Sequence, residues 1–332
     1  MPDLRAGRRR SCKSSIARRE TTDQTGAPDM QPKKAEHSER VWFVTGASSG
    51  FGRAVSRTVL QRGERLAAVA RDRDALETLV APFPERGLAL HLDVADAEAV
   101  RKTVSQVISR FGRIDVVVNN AGYGHIGAVE ELSDEELRRQ LDVNLFGVIH
   151  VTRAVLPQLR EQRSGHLVQM SSLNGVEGLA GAAYYTASKF AIEGFSESLA
   201  AEVAHLGIKV TIVEPAPFRT RFLDDGSARW AKPMPDYAPT VGKSREMLRQ
   251  LAGKQPGDPE RAARAIIQVV DADHPPLRLA LGRMAIDHIR ADLNAELAEL
   301  DAWADLGATA DFPPDASAAR SHEDQVRRGA RA

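Results

Sequence analysis

Val41-Trp42-Phe43-Val44-Thr45-Gly46-Ala47-Ser48-Ser49-Gly50-Phe51-Gly52 opens as an unbroken apolar run and passes directly into a loop holding three glycines. The run has the length of a strand covered on both faces, and an amphipathic helix follows over about 50–62. Glycines at a strand-to-helix turn let the backbone approach a pyrophosphate, while the helix N-terminus offers unpaired N–H groups and the positive end of its dipole. The spacing is G-x-x-x-G-x-G rather than the common G-x-G-x-x-G, so the generic dinucleotide fingerprint is not met literally. Taken alone, the turn also suits a tight connection that binds nothing.

Outward from this turn, short apolar runs alternate with longer amphipathic stretches. Leu66–Val69, Leu88–Leu90, Val116–Val118, His166–Met170 and Val210–Val213 read as further strands. Helices are expected at about 73–81, 96–110, 133–162 and 182–205, with Asp96 and Ser133 as N-caps. A helix over 259–272, a strand at Leu277–Leu281 and a helix over 284–304 follow. Strands joined by crossover helices build right-handed βαβ units. The expected fold class is therefore α/β, a doubly wound parallel sheet (Rossmann fold) of about seven strands with helices on both faces.

The chain has 332 residues, 42% of them hydrophobic, with 45 basic and 45 acidic side chains. That charge balance speaks against a polyanion as main partner, so no nucleic acid is expected. The balance is uneven along the chain: residues 1–29 hold seven basic and four acidic residues, leaving 38 and 41 in the remainder. Residues 1–39 are too poor in apolar side chains to offset the entropy of ordering, and read as a disordered basic segment. Met30 stands close before the first strand and is a second possible start of translation. Residues 40–306 are expected to form a single catalytic domain, with 221–257 as a substrate lid and 307–332 as a flexible tail. The one cysteine, Cys12, excludes an internal disulfide and a cysteine-based zinc site. No long apolar run or secretory leader is visible, so no membrane partner and a cytoplasmic location are expected. The nine histidines show no ligand-spaced cluster, so no metal is expected.

Thr45-Gly-x-x-x-Gly50-x-Gly52 after a first strand resembles the cofactor motif of the short-chain dehydrogenase/reductase family, and the resemblance extends over roughly 40–282. It implies a nicotinamide dinucleotide held by Thr45, Gly46, Ser48, Ser49, Gly50, Phe51 and Gly52. Asp93-Val94 would lie beside the adenine, and Asn120, Ala121 and Gly122 along the cofactor groove. Pro215 and Thr220, after the sixth strand, would reach the nicotinamide end. Ala216 stands where the family usually has glycine, which raises the question of a positive φ there. After the second strand, Ala70 occupies the place of the acidic residue of NAD-preferring relatives and Arg71 follows. A guanidinium there favours a 2′-phosphate, so NADP(H) is the preferred cofactor, with NAD(H) possible. Asp72 and Asp74 could instead draw Arg71 aside.

Tyr185 and Lys189, four apart on an expected helix, share one face. Such a pair arises by chance about one time in ten in a chain of this composition, so its setting matters. Ser172 precedes Tyr185 by thirteen residues at a strand end, and Asn144 lies in Asp142-Val143-Asn144. In the family these four positions are catalytic. Reducing a carbonyl by hydride transfer builds an alkoxide that needs a proton donor and hydrogen bonds. The resemblance makes Tyr185 the acid–base, Ser172 the hydrogen-bond donor to the substrate oxygen, and Lys189 the charge that favours the phenolate while holding the ribose. Asn144 would position a water of the proton relay. Tyr184 and Ser171 compete by proximity, but Tyr184 lacks a lysine four residues on, and Ser171 points to the opposite side of its strand.

The expected activity is interconversion of a ketone or aldehyde with a secondary or primary alcohol. A non-catalytic dinucleotide sensor and a sugar-nucleotide epimerase or dehydratase are the alternatives. Phe222, Leu223, Trp230, Met234 and Tyr237 in the lid suggest an apolar or amphipathic small-molecule substrate, although they could equally pack onto the core. His125 could line the substrate pocket or sit partly exposed in a loop. Glu130, Glu131, Asp134, Glu135 and Glu136 read as a solvated helix start. The resemblance implies a homodimer or homotetramer.

Overall fold

A computed structural model describes residues 39–223 and 227–312. Cys12, Met30 and nearly all of the basic segment and of the C-terminal tail lie outside the described residues. The strands are β1 (Val41–Thr45), β2 (Arg65–Ala70), β3 (Gly87–His91), β4 (Val116–Asn119), β5 (Gly124–Ile126), β6 (Gly165–Met170), β7 (Ile208–Pro215), β8 (Ala228–Trp230) and β9 (Arg278–Leu281). Seven of them form one parallel sheet in the order β3-β2-β1-β4-β6-β7-β9. The order reverses direction between β1 and β4, which opens a crevice at their carboxyl ends.

The helices are α1 (Gly50–Gln61), α2 (Arg73–Val80), α3 (Ala97–Phe111), α4 (Asp134–Leu141), α5 (Gly147–Gln162), α6 (Ala183–Val203), α7 (Lys243–Leu251), α8 (Pro259–Val270) and α9 (Arg283–Ala308). Alternation along β1 sends Trp42 and Val44 to the side covered by α1, α2 and α8, where Val55, Leu60, Leu76 and Ile266 meet them. Val41 and Phe43 point the other way, into a layer built with Val104 of α3, Val155 of α5 and Leu199 of α6. Because both faces are dry, β1 has no exposed residue and its apolar run is unbroken.

Three local expectations are corrected. The stretch 133–162 is two helices, α4 and α5, separated by one wide π-type turn over Asp142–Phe146. The extra residue turns Asn144 inward, where its amide is fully hydrogen-bonded; apolar periodicity carries no trace of such a bulge. The segment 221–257, where the sequence reading expects a lid and no regular element, contains β8, paired in parallel with β5 outside the main sheet, and α7. Helix α9 runs to Ala308, beyond the boundary expected for the catalytic domain.

Candidate functional site

The turn between β1 and α1 is pinned to the end of β4 by two side chains. Thr45 Oγ1 donates to the Val118 carbonyl at 3.3 Å and accepts from the N–H groups of Asn120 at 2.8 Å and Ala121 at 3.0 Å. Asn120 Nδ2 donates back to the carbonyls of Thr45 and Gly46 at 3.0 and 3.3 Å. Thr45 is 1% exposed, so it shapes the turn from behind. Gly46 has φ +63°, and a Cβ on it would stand 2.8 Å from Asn120 Nδ2. At Gly52 a Cβ would overlap the Gly46 carbonyl. These two positions have to be glycine for the turn to close this tightly.

The result is a groove at the carboxyl ends of the strands. Gly46, Ser48, Ser49, Gly50 and Phe51 line it from the turn, Arg71 from the end of β2, Asp93 and Val94 after β3, Asn120, Ala121 and Gly122 after β4, and Thr220 after β7. Gly52 and Pro215 are not among the residues that line it. Ser49 is the N-cap of α1 and its side chain makes no capping bond, so the first N–H groups of the helix remain available to an anion. A backbone cradle that any Cβ would fill, a helix N-terminus and a cation at the end of β2 suit a dinucleotide phosphate chain. Asp72 caps α2 by accepting from the Ala75 N–H at 3.1 Å. Among the described residues no ion pair ties Arg71 to Asp72 or Asp74.

Asn144 is 1% exposed; its Oδ1 accepts from the Tyr123 N–H at 3.0 Å, and its Nδ2 donates to the Tyr123 carbonyl at 2.9 Å and to Ser188 Oγ at 3.0 Å. Ser172 lies two residues past the end of β6, and its Oγ accepts from the Asn174 N–H at 3.1 Å. Tyr185 and Lys189 lie in the first two turns of α6, which lacks acidic residues in its first turn. Lys189 Nζ donates to the Met170 carbonyl at 2.7 Å and stands 5.7 Å from the centre of the Tyr185 ring. Ser172, Tyr185 and Lys189 are thus gathered at the carboxyl end of β6. Gly122 joins this cluster to Asn144: its Cβ position lies 3.2 Å from Asn144 Oδ1 and 3.9 Å from Lys189 Nζ.

Burial pushes the Tyr185 phenol up to about 12, partly opposed by its hydrogen bond with Ser172. Burial also pulls the Lys189 ammonium down to about 8, opposed by Glu193. In the protein without cofactor, desolvation is the larger effect on the phenol.

Other expectations resolve individually. His125 is neither pocket-lining nor partly exposed: it is 1% exposed on β5, with Nδ1 2.8 Å from Gln140 Oε1. Tyr184 turns away from the site and donates to the Val129 carbonyl at 3.2 Å. Ala216 continues the ladder, donating to the Leu281 carbonyl at 3.0 Å, and has no positive φ. The absence of glycine there is accordingly without strain. Glu131 is not solvated: its side chain is fully buried, accepts from the N–H groups of Ala128 and Met234 at 2.7 Å each, and pairs with Arg245 of α7. It clamps the segment after β8 to the body, a link between residues more than a hundred apart that nothing in the sequence marks. Phe222, which the sequence marks only by its apolarity, has its ring against the Tyr185 ring.

Comparison with known proteins agrees with this geometry. A sequence model described as short chain dehydrogenase matches residues 40–229. "Oxidoreductase BOA17" of Botryotinia fuckeliana is 39% identical over 80% of this chain and 97% of its own length. The "3-ketodihydrosphingosine reductase" of Bacteroides thetaiotaomicron is 35% identical over 76% and 89%, and human "Retinol dehydrogenase 8" is 34% identical over 72% and 80%. A crystal structure of a short-chain dehydrogenase from Streptomyces avermitilis superposes with a TM-score of 0.77 at 44% identity, covering 82% of this chain and all of that one. An alcohol dehydrogenase from Thermococcus sibiricus, complexed with 5-hydroxy-NADP, does so at 0.61 and 29% identity, covering 73% and 95%. With its glycine turn, groove and Ser–Tyr–Lys cluster in place, the chain belongs to the short-chain dehydrogenase family and is an NAD(P)-dependent oxidoreductase.

Proposed function

We propose that the protein is an NADP(H)-preferring enzyme that interconverts a ketone or aldehyde with the corresponding alcohol, on an apolar or amphipathic substrate. The observation that carries this reading is the convergence of Ser172, Tyr185 and Lys189 beside the groove. When bound there, the nicotinamide supplies or accepts the hydride. Ser172 and Tyr185 then present two hydroxyl groups to one substrate oxygen, which stabilise negative charge as it develops. Tyr185 delivers its phenolic proton to that oxygen in reduction and removes it in oxidation. A phenol held near 12 is well suited to donate to an alkoxide and poorly suited to remain ionised alone. The ammonium of Lys189, over the Tyr185 ring, stabilises the phenolate left after donation. Asn144 takes the ordering of a relay water in this reading, although its side-chain amide is already engaged by Tyr123 and Ser188.

Arg71 supports the phosphate-bearing cofactor, because it is exposed at the groove and free of ion pairs to its acidic neighbours. The apolar substrate class is supported by Phe222 against Tyr185 and by relatives named for retinol and 3-ketodihydrosphingosine, both lipid molecules. The test is NADPH oxidation with a panel of ketones and aldehydes, repeated with NADH and with Tyr185→Phe. Turnover of long-chain carbonyls with NADPH, lost in the variant, is expected. Retained turnover in Tyr185→Phe would refute the mechanism.

A further inference from the structure

Tyr185, Lys189 and Glu193 are spaced four apart on α6 and so lie along one face of that helix. Glu193 is only 8% exposed. Four elements bring groups to it: Lys189 and Glu197 on its own helix, Ser171 at the end of β6, Glu214 on β7 and Arg278 on β9. Arg278 Nε approaches Glu193 Oε2 at 3.3 Å and Glu214 Oε1 at 3.7 Å, while its Nη2 binds Glu197 at 2.7 Å. Gly175 leaves the room for this cluster, since a Cβ there would overlap Ser171 Oγ and stand 3.1 Å from Glu193 Oε1. The Ser171 hydroxyl lies near enough to favour the carboxylate, although the pair lacks the geometry of a full hydrogen bond.

Two buried carboxylates beside one guanidinium do not both ionise at low cost. Glu193 has the nearer guanidinium contact, 3.3 Å against 3.7 Å, and the lysine one turn away on its own helix, while Oε1 of each carboxyl lacks a hydrogen bond. Burial raises both carboxyls, Glu214 to about 7, and Glu193, with the nearer guanidinium, is the one that ionises first as pH rises. Lys189, in turn, is 6% exposed and bonded to a neutral carbonyl. A buried ammonium with only neutral partners tends to lose its proton.

We propose that Glu193 is a positioning residue of the site: its carboxylate, held ionised by Arg278, keeps the Lys189 ammonium charged one helical turn from Tyr185. This rests on the role of Lys189 in the proposed reaction, but the charge relationship itself can be measured without a substrate. Burial draws Lys189 down to about 8, and Glu193 is the carboxylate that opposes the fall. Without that charge the amine should deprotonate at lower pH.

The experiment is a 13C NMR pH titration of the full chain labelled at the lysine ε-carbons, with the Lys189 signal assigned by its loss in Lys189→Arg. The expected wild-type midpoint is well below those of the other lysines. Glu193→Gln should lower it by about one pH unit, and Glu193→Asp should restore part of the shift. If Glu193→Gln does not fold, Glu193→Ala tests the same link by removing the carboxylate outright and should move Lys189 in the same direction. Unchanged midpoints in the folded variants, or a shift upward, overturn the proposal. Failure of the catalytic reading would show separately, as retained turnover in Tyr185→Phe with the Lys189 titration behaving as described.

Discussion

The ring of Phe222 rests against the ring of Tyr185, centroid to centroid 5.4 Å at a tilt of 54°. Phe222 enters from the segment after β7, its N–H donating to Thr220 Oγ1 at 3.2 Å, and so forms an apolar wall beside the phenol. Phe222→Ala is expected to raise KM for long-chain carbonyls about tenfold, in line with the loss of one aromatic contact, and to change kcat little. Steady-state kinetics with short and long aldehydes checks this; an equal effect on both would remove Phe222 from substrate selection.

Tyr185→Phe removes the proposed proton donor and leaves the groove untouched. A loss of about 10²–10⁴ in kcat is expected, with NADPH affinity within a factor of two or so of wild type. Fluorescence titration of bound NADPH alongside the kinetics separates the two effects.

Arg71→Ala should raise KM for NADPH by about 10- to 100-fold, the loss expected for one charge-assisted phosphate contact. KM for NADH should hardly move. Equal loss with both cofactors would place Arg71 in general support of the groove rather than on a 2′-phosphate.

Gly46 sits at φ +63° against Asn120 and Ala121, with no space for a methyl group. Gly46→Ala is expected to weaken both cofactors alike and to lower stability by about 1–3 kcal/mol through strain and overlap. Denaturant unfolding and cofactor titration on the same protein measure both. By contrast, Gly178, with no atom near its Cβ position, should tolerate alanine.

Glu214 is 2% exposed, and burial together with the neighbouring Glu193 pushes its carboxyl up to about 7. A carboxyl raised on folding costs nothing below its ordinary value near 4.5. The cost grows as pH rises through 4.5 and is complete above about 7. Glu214→Gln removes it, so the variant should gain stability over wild type across that interval, by about 2 kcal/mol or less at pH 8. A pH series of thermal unfolding for both proteins tests the sign. A constant difference at all pH values would mean that Glu214 is already ionised at low cost.

Much of the site was legible because its residues are local in sequence. Thr45 to Gly52 is a single turn, and Tyr185 and Lys189 are neighbours on one helix face. Ser172 and Asn120 stand at strand ends, which the apolar runs before them reveal. The π-type turn at Asn144 escaped, since an inserted residue shifts a helix without altering its composition. Glu131 escaped for a different reason: five acidic residues in a row of seven read as a solvated start, and only Met234 and Arg245, brought from far along the chain, make one of them a buried clamp.

By itself, the sequence determined the parallel sheet, the glycine turn and the residue types of the proposed proton relay, because strand burial, glycine geometry and helix spacing are short-range properties. The tertiary structure alone decided which charges those residues carry. The Tyr185 phenol is raised and the Lys189 ammonium lowered by desolvation, and Glu193, Glu214 and Arg278 meet only because α6, β7 and β9 pack together. A pKa follows from burial and from neighbours in space, and neither is written in any one segment of the chain.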